Sequence, residues 1–171
     1  MSAKYRGNVG ERRHVKAVFP GTFDPVTNGH LDIVERATRL FDEVVVGVYT
    51  DPPKQLTFSA DERVEMFRQS LVHMPEVEVR LFSILMVEFA HEVGATVVVR
   101  GLRIGADFEY ERELALMNRE IAPDIEVACL LTSLEYQFVS SSRVKEIAEL
   151  HGDVSRFVPL MVNEELKKKF G

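Results

Sequence analysis

Apolar and polar positions alternate along the chain on two different periods. Short runs of Val, Ile, Leu and Phe recur at Val15–Pro20, Glu43–Tyr49, Val77–Leu81, Thr96–Arg100 and Ile125–Leu131. Most are nearly unbroken, as expected for strands buried on both faces, and the Val77 run alternates. Between them the spacing changes to that of a helix. Leu31, Val34, Ala37 and Leu40 form one stripe over Asn28–Leu40. Ser59 and Glu62 have the capping-box spacing and start a helix running to about Leu71. Leu85–Val93 is helical and stops at Gly94, a suitable residue just past a helix end. Further helices are predicted over Asp107–Ile121, Ser141–Leu150 and Asn163–Phe170. In the Asp107 helix, Tyr110, Leu114, Met117 and Ile121 share a stripe expected to face the core; Glu111 and Asn118 share a different, solvent-facing one. Strand–helix alternation of this kind predicts an α/β fold, a doubly wound five-stranded parallel sheet of Rossmann type with C-terminal helices. No linker or repeat divides residues 14–171, so they are expected to form one domain. Residues 1–13 carry Lys4, Arg6, Arg12 and Arg13 without an apolar stretch and are expected to be a disordered leader rather than a secretory signal.

Composition narrows the class. The chain has 171 residues and a formal net charge of −6, which argues against a general nucleic-acid binder. Lys167–Lys169 suit the end of a terminal helix through its dipole. No apolar run approaches the roughly 18 residues of a membrane span. Cys129, the sole cysteine, lies in an apolar run and is expected in the core. A cytoplasmic protein is expected.

The polar and glycine residues collect where strands end. After the first strand come Pro20-Gly21-Thr22-Phe23-Asp24-Pro25, then a helix opening on Asn28-Gly29-His30. A glycine-rich turn feeding a helix start offers unpaired backbone N–H groups to an anion, and Thr22 and His30 add side-chain donors. Loop closure by Thr22 with a surface His30 is the competing explanation; Gly21, Pro25 and Gly29 favour a phosphate site. Lys54 follows the second strand, and Arg100 and Arg103 follow the fourth. Two arginines leaving a buried strand need anionic partners, either a ligand or Asp107, Glu109 or Glu111 of the chain itself. Lys54 is as well explained as a solvated loop lysine. Ser140–Ser142 before a helix can be a simple cap or an anion-binding nest. No metal-ligand spacing of Cys and His, no Gly-x-x-x-x-Gly-Lys-Ser/Thr loop and no Gly-x-Ser-x-Gly elbow is present. No covalent nucleophile or strong general base stands out. That suits transfer of a phosphoryl or nucleotidyl group onto an acceptor that is already an oxyanion.

The run Pro20–His30 resembles the signature of the nucleotidylyltransferase superfamily in its Thr-x-Gly-His variant. Arg100-Gly-Leu-Arg103, Asp107-Phe-Glu-Tyr-Glu111, Met117-Asn-Arg119 and Phe138-Val-Ser-Ser-Ser142 add a closer resemblance to the bacterial phosphopantetheine adenylyltransferases, spanning about Lys16 to Pro159. The resemblance implies direct, in-line transfer of the adenylyl group of ATP to 4′-phosphopantetheine, giving dephospho-CoA and pyrophosphate, with Mg²⁺ held mainly by the ATP phosphates and no dedicated protein metal ligands. It implies that His30 stabilises the transition state with Thr22, that Lys54 and Arg100 bind the acceptor phosphate with Thr22, and that Met86 lines the acceptor's arm. Arg103 and the Ser140, Ser141, Ser142 nest would hold the β- and γ-phosphates. Phe23, Gly101, Leu102, Glu111, Tyr136, Gln137, Phe138 and Val139 would border the nucleotide. It further implies a homohexamer built as two trimers, coenzyme A as a competing inhibitor, and no nucleic-acid or membrane partner. Tyr136 stands where the family often has tryptophan, and Ile84 where it has a smaller or polar residue beside the acceptor arm. A sister enzyme acting on a sugar phosphate, glycerol phosphate or nicotinate mononucleotide is the nearest alternative, and a sensing module for nucleotide or coenzyme A without turnover is another.

Overall fold

The computed structural model describes residues 13–53, 55–103 and 105–171, the side chain of residue 106 excepted. Among them the strands are β1 (Lys16–Gly21), β2 (Glu43–Tyr49), β3 (Glu78–Phe82), β4 (Val97–Leu102) and β5 (Glu126–Leu131). The helices are α1 (Asn28–Thr38), α2 (Ala60–Ser70), α3 (Met86–Glu92), α4 (Gly105–Ile121), α5 (Ser141–Glu149) and α6 (Leu160–Phe170). All strand pairs are parallel, in the order β3-β2-β1-β4-β5. The expected sheet is therefore present, and most element ends fall within one or two residues of the pattern-based ones. A 3₁₀ turn at Leu134–Tyr136, which no periodicity marks, precedes α5.

Residue alternation along the central strands builds a core on each side. Ala17, Phe19, Val44, Val46, Val48 and Val99 face the helices α1, α2, α5 and α6. Val18, Val45 and Val98 face α3, where Phe82 and Phe89 stack with ring centroids 4.6 Å apart. Gly47 lies under that stack; a Cβ there would sit 2.6 Å from the Phe89 ring. Ser59 caps α2 by accepting from the Glu62 N–H, and Glu62 accepts in return from the Ser59 N–H, the predicted box. Gly94 takes φ +73° just past α3, a conformation that side chains with a Cβ rarely adopt.

The order reverses between β1 and β4, the switch point at which open α/β sheets bind ligands. Register pairing of β1 with β4 covers only Ala17 with Val97 and Val18 with Val98, against six pairs between β1 and β2. Beyond Val18 the two strands part, and a crevice opens between their carboxyl ends.

The far side of the sheet departs from expectation. Tyr110, Met117 and Ile121 on α4 are exposed, at 62%, 63% and 58%, while Leu114 is half-buried. Glu111, expected in solvent, is buried. Cys129, expected in the core, is exposed on β5. The cause is the rotation of α4: its Glu111 face turns inward to meet Arg100 of β4, so the apolar stripe points away from this chain. As an edge strand, β5 has a neighbour on one side only, and Leu131 is left two-thirds uncovered.

Candidate active site

The crevice is a cleft of about 340 Å³ lined by the end of β1, the loop into α1, the end of β4, the start of α4 and the segment entering α5. Its first wall begins with Thr22 and Phe23. Phe23 has φ +52°, and its ring is buried edge-on against Phe67 at 4.7 Å. Thr27 caps α1, and His30 is the third residue of the helix. The Thr27 backbone N–H donates to His30 Nδ1 at 3.0 Å, and Thr27 Oγ1 lies 3.1 Å from the same nitrogen. A nitrogen that accepts from a backbone N–H carries no proton, so the neutral ring holds its proton on Nε2. Burial, with the Arg103 charge nearby, pushes the imidazole down to about 4. At neutral pH His30 is thus an uncharged donor, oriented through its other nitrogen and packed edge-on by the Phe23 ring at 5.0 Å.

On the opposite wall the cations are tied to carboxylates. Arg100 Nε and Nη2 donate to the two Glu111 oxygens at 2.7 and 2.6 Å, and Nη1 donates to the Pro20 carbonyl at 3.0 Å. Arg103 donates to Asp107 from its backbone N–H at 3.0 Å, from Nε at 3.1 Å and from Nη2 at 3.2 Å. Its Nη1 reaches the Val139 carbonyl at 3.3 Å. Both intrachain pairings that competed with a ligand are therefore present, yet all four side chains line the cleft. The third wall is the start of α5. Ser140 caps it by accepting from the Arg143 N–H at 3.3 Å; Ser141 Oγ donates to the Pro25 carbonyl at 2.7 Å; Ser142 is exposed. Cap and cleft lining thus coexist in this triplet. Tyr136 packs close to Gly29, where a Cβ would lie 3.3 Å from the Tyr136 Cβ.

Thr22, Phe23, His30, Arg100, Gly101, Arg103, Glu111, Tyr136, Val139 and Ser140–Ser142 are brought together. Leu102 is buried beside the cleft, its carbonyl accepting from the Thr132 N–H at 2.8 Å. Gln137 donates to the Thr132 carbonyl at 3.3 Å, and Phe138 is exposed, edge-on to Phe157. Met86 packs against the core on the α3 side, away from the cleft lining. Lys54 lies outside the described residues. Sequence reasoning missed Asp24, Thr27 and Thr132, which also line the cleft. Asp24 is buried, accepts from the Thr57 and Phe58 N–H groups, and pairs with Lys145 of α5. Its position inside the Pro20–His30 run was the one signal available. Among the described residues no three His, Cys, Asp or Glu groups gather as a metal cage. Nor is any described helix long and apolar enough to cross a membrane.

A cleft of N–H donors and arginines at a sheet switch point can hold a chain of phosphates and neutralise charge on a transferring phosphorus. The model of the family described as cytidylyltransferase-like matches residues 18–147, well over half of the chain. The chain is 52% identical over 158 residues to a phosphopantetheine adenylyltransferase of Thermomicrobium roseum, covering 91% of this chain and 95% of that one. It is also 52% identical over 155 residues to the enzyme of the same name from a Roseiflexus species, covering 91% and 97%. Among solved structures, the Plasmodium falciparum nicotinic acid mononucleotide adenylyltransferase complexed with NaAD superposes with a TM-score of 0.69 at 15% identity, over 93% of this chain and 99% of that one, a likeness of fold. The chain belongs to the cytidylyltransferase-like family and, within it, to the phosphopantetheine adenylyltransferases.

Proposed function

We propose that this protein transfers the adenylyl group of ATP to 4′-phosphopantetheine, forming dephospho-CoA and pyrophosphate, the penultimate step of coenzyme A synthesis. The observation that carries the reading is the convergence of His30, Arg100, Arg103 and the α5 start on one cleft, in a chain half-identical to enzymes of that name. An oxygen of the acceptor phosphate attacks the α-phosphorus of ATP while the bond to the pyrophosphate oxygen breaks. The attacking oxygen already carries charge, so no base is required. Thr22 and the Nε2–H of His30 donate to the oxygens of the crowded α-phosphate, whose charge grows in the transition state. Arg103 and Ser140–Ser142 hold the β- and γ-phosphates. Arg100, with Lys54, orients the acceptor phosphate, and Met86 borders the acceptor's arm.

Mg²⁺ fits this site as a companion of the triphosphate. The cleft carboxylates Asp24, Asp107 and Glu111 are engaged by Lys145, Arg103 and Arg100, so phosphate oxygens and water would supply its ligands. When bound, the ion neutralises phosphate charge. The reading extends to a cytoplasmic homohexamer of two trimers, in which coenzyme A competes at the cleft. The apolar stripe on α4 and the uncovered β5 edge support assembly, because together they leave Phe108, Tyr110, Leu116, Met117, Ile121 and Leu131 exposed.

The test is pyrophosphate release from ATP and Mg²⁺ with a panel of acceptors: 4′-phosphopantetheine, a sugar phosphate, glycerol phosphate and nicotinate mononucleotide. Release is expected with 4′-phosphopantetheine alone. Release only with another acceptor makes the protein a sister nucleotidylyltransferase, and coenzyme A binding without any turnover makes it a sensor.

A further inference from the structure

Among the described residues the largest fully buried side chain is a charged one, Arg63 of α2. No described carboxylate is in hydrogen-bond contact with it. Its guanidinium donates instead to four backbone carbonyls: Nη1 to Thr22 at 2.7 Å and to Tyr49 at 2.7 Å, Nη2 to Thr50 at 3.2 Å, and Nε to Phe58 at 3.2 Å. Burial lowers its pKa, while Asp24 and Asp51 pull it back up. Burying a cation that an apolar residue of similar volume could replace is a poor route to stability. What the guanidinium does that an apolar group cannot is reach a turn 41 residues before it in sequence and join it, through carbonyls, to segments nearer Arg63. One is the Thr22 turn. The others are the end of β2 and the loop from β2 to α2, the loop that carries Lys54. Asp24 grips the same loop with the opposite polarity: it takes the Phe58 N–H at 3.0 Å while Arg63 takes the Phe58 carbonyl.

The consequence for the cleft follows from peptide geometry. In a trans peptide the carbonyl and the following N–H point in opposite directions. Arg63 holds the Thr22 carbonyl, so the Phe23 N–H must point away from Arg63. Phe23 lines the cleft and Arg63 does not. We propose that Arg63 is a positioning residue for the transfer reaction: it fixes the Thr22–Phe23 peptide so that the Phe23 N–H and the Thr22 side chain meet the substrate phosphates, and it locks the β2–α2 loop to the same turn. This rests on the adenylyl-transfer reading only for its turnover measurements.

The experiment compares the wild-type protein with Arg63→Lys, and uses Arg68→Lys as control. Arg68 lies on the same helix and donates to the Val79 carbonyl at 3.1 Å, remote from the cleft lining. Lysine keeps the charge but cannot span four carbonyls. Arg63→Lys is expected to lose about 100-fold in kcat while KM for ATP stays within about threefold, as for misplacement of a donor used mainly in the transition state. Arg68→Lys is expected to lower Tm and leave kcat unchanged. The second readout is the ¹⁵N–¹H resonance of the Phe23 amide on adding ATP. It should move in the wild type and move less in Arg63→Lys. Full kcat in folded Arg63→Lys, or a kcat loss equal to that of Arg68→Lys, overturns the inference. A wild-type Phe23 resonance indifferent to saturating ATP overturns it too, whether or not Arg63→Lys folds. A wild type that shifts this resonance with ATP yet turns over no acceptor defeats the reaction reading, and the positioning role then stands if Arg63→Lys shifts it less and falls if the two shifts are equal.

Discussion

The two main walls of the cleft offer an anion different kinds of donor. The wall built from β1 and α1 offers only uncharged donors, its one carboxylate in the cleft, Asp24, being paired with Lys145 of α5. Its donors are backbone N–H groups, the Thr22 hydroxyl and a neutral imidazole, and the orientation of that imidazole is set by a bond at its far nitrogen. The wall built from β4 and α4 carries two arginines, each already satisfied by a carboxylate. Dipoles fixed in place cost no reorganisation when charge develops on the reacting phosphorus, which suits the site of chemistry. Paired arginines suit binding: neither Arg100 nor Arg103 is left without a counter-charge in the free protein, and a phosphate that arrives shares or replaces a carboxylate. A chain of net charge −6 can in this way attract anions locally without a basic surface.

Breaking the first wall should have the largest effect. His30→Ala removes the proposed donor to the transition state and is expected to cost about 3–4 kcal/mol of barrier, roughly 10²- to 10³-fold in kcat, with ATP affinity by calorimetry changed far less. Because His30 also caps α1 by accepting the Thr27 N–H, this variant loses some stability as well. His30→Gln separates the two roles. A glutamine at the third helix position can accept that N–H, so Tm should recover while kcat stays low. If His30→Gln recovered turnover together with Tm, the imidazole would be a cap and nothing more.

The second wall should respond more moderately and with the opposite ligand dependence. Glu111→Gln keeps the shape but removes the charge that neutralises Arg100, whose side chain is only 21% exposed. Loss of a charge-assisted pair of this kind is expected to cost about 2 kcal/mol of stability in the free protein. An incoming phosphate then replaces the missing charge, so the rise in Tm on adding 4′-phosphopantetheine should be larger in the variant than in the wild type. Equal rises would mean that Glu111 and the acceptor do not compete for Arg100.

What could be read from sequence follows the range of the interactions. Strand and helix positions, the Ser59 box, the Gly94 stop and the Thr22–His30 turn are set by residues within a few positions of one another, and these were legible. The arginine walls were half legible: Arg100 and Arg103 plainly needed anions, but whether Glu111 or a ligand supplied them depends on how α4 rotates against β4. Periodicity marked an apolar stripe on α4 without saying which way it faces, and nothing in an apolar run says that its strand lies at the sheet edge, so Tyr110, Met117 and Cys129 were misplaced. Arg63 was invisible, because its partners are carbonyls of four residues whose side chains carry no trace of the bond.

The smallest effect tests the neutrality of the first wall. In the folded protein the His30 pKa is depressed to about 4, against 6.5 for an unperturbed histidine. Between these values the unfolded chain binds more protons than the folded one, so stability rises with pH across that window and falls as the pH drops below 6.5. One pH unit into the window the loss is about 1 kcal/mol, an upper bound because His30 is only half-buried and solvent screens it. Wild-type protein without ligand should therefore lose Tm from pH 7.5 to 5.5 more steeply than His30→Gln, which has no imidazole to protonate. On the opposite wall Glu111→Gln should leave this slope intact, since the carboxylate it removes faces Arg100. Parallel Tm profiles for wild type and His30→Gln would mean that folding does not depress the His30 pKa, and the imidazole would then take up charge on acidification as readily as a histidine in water.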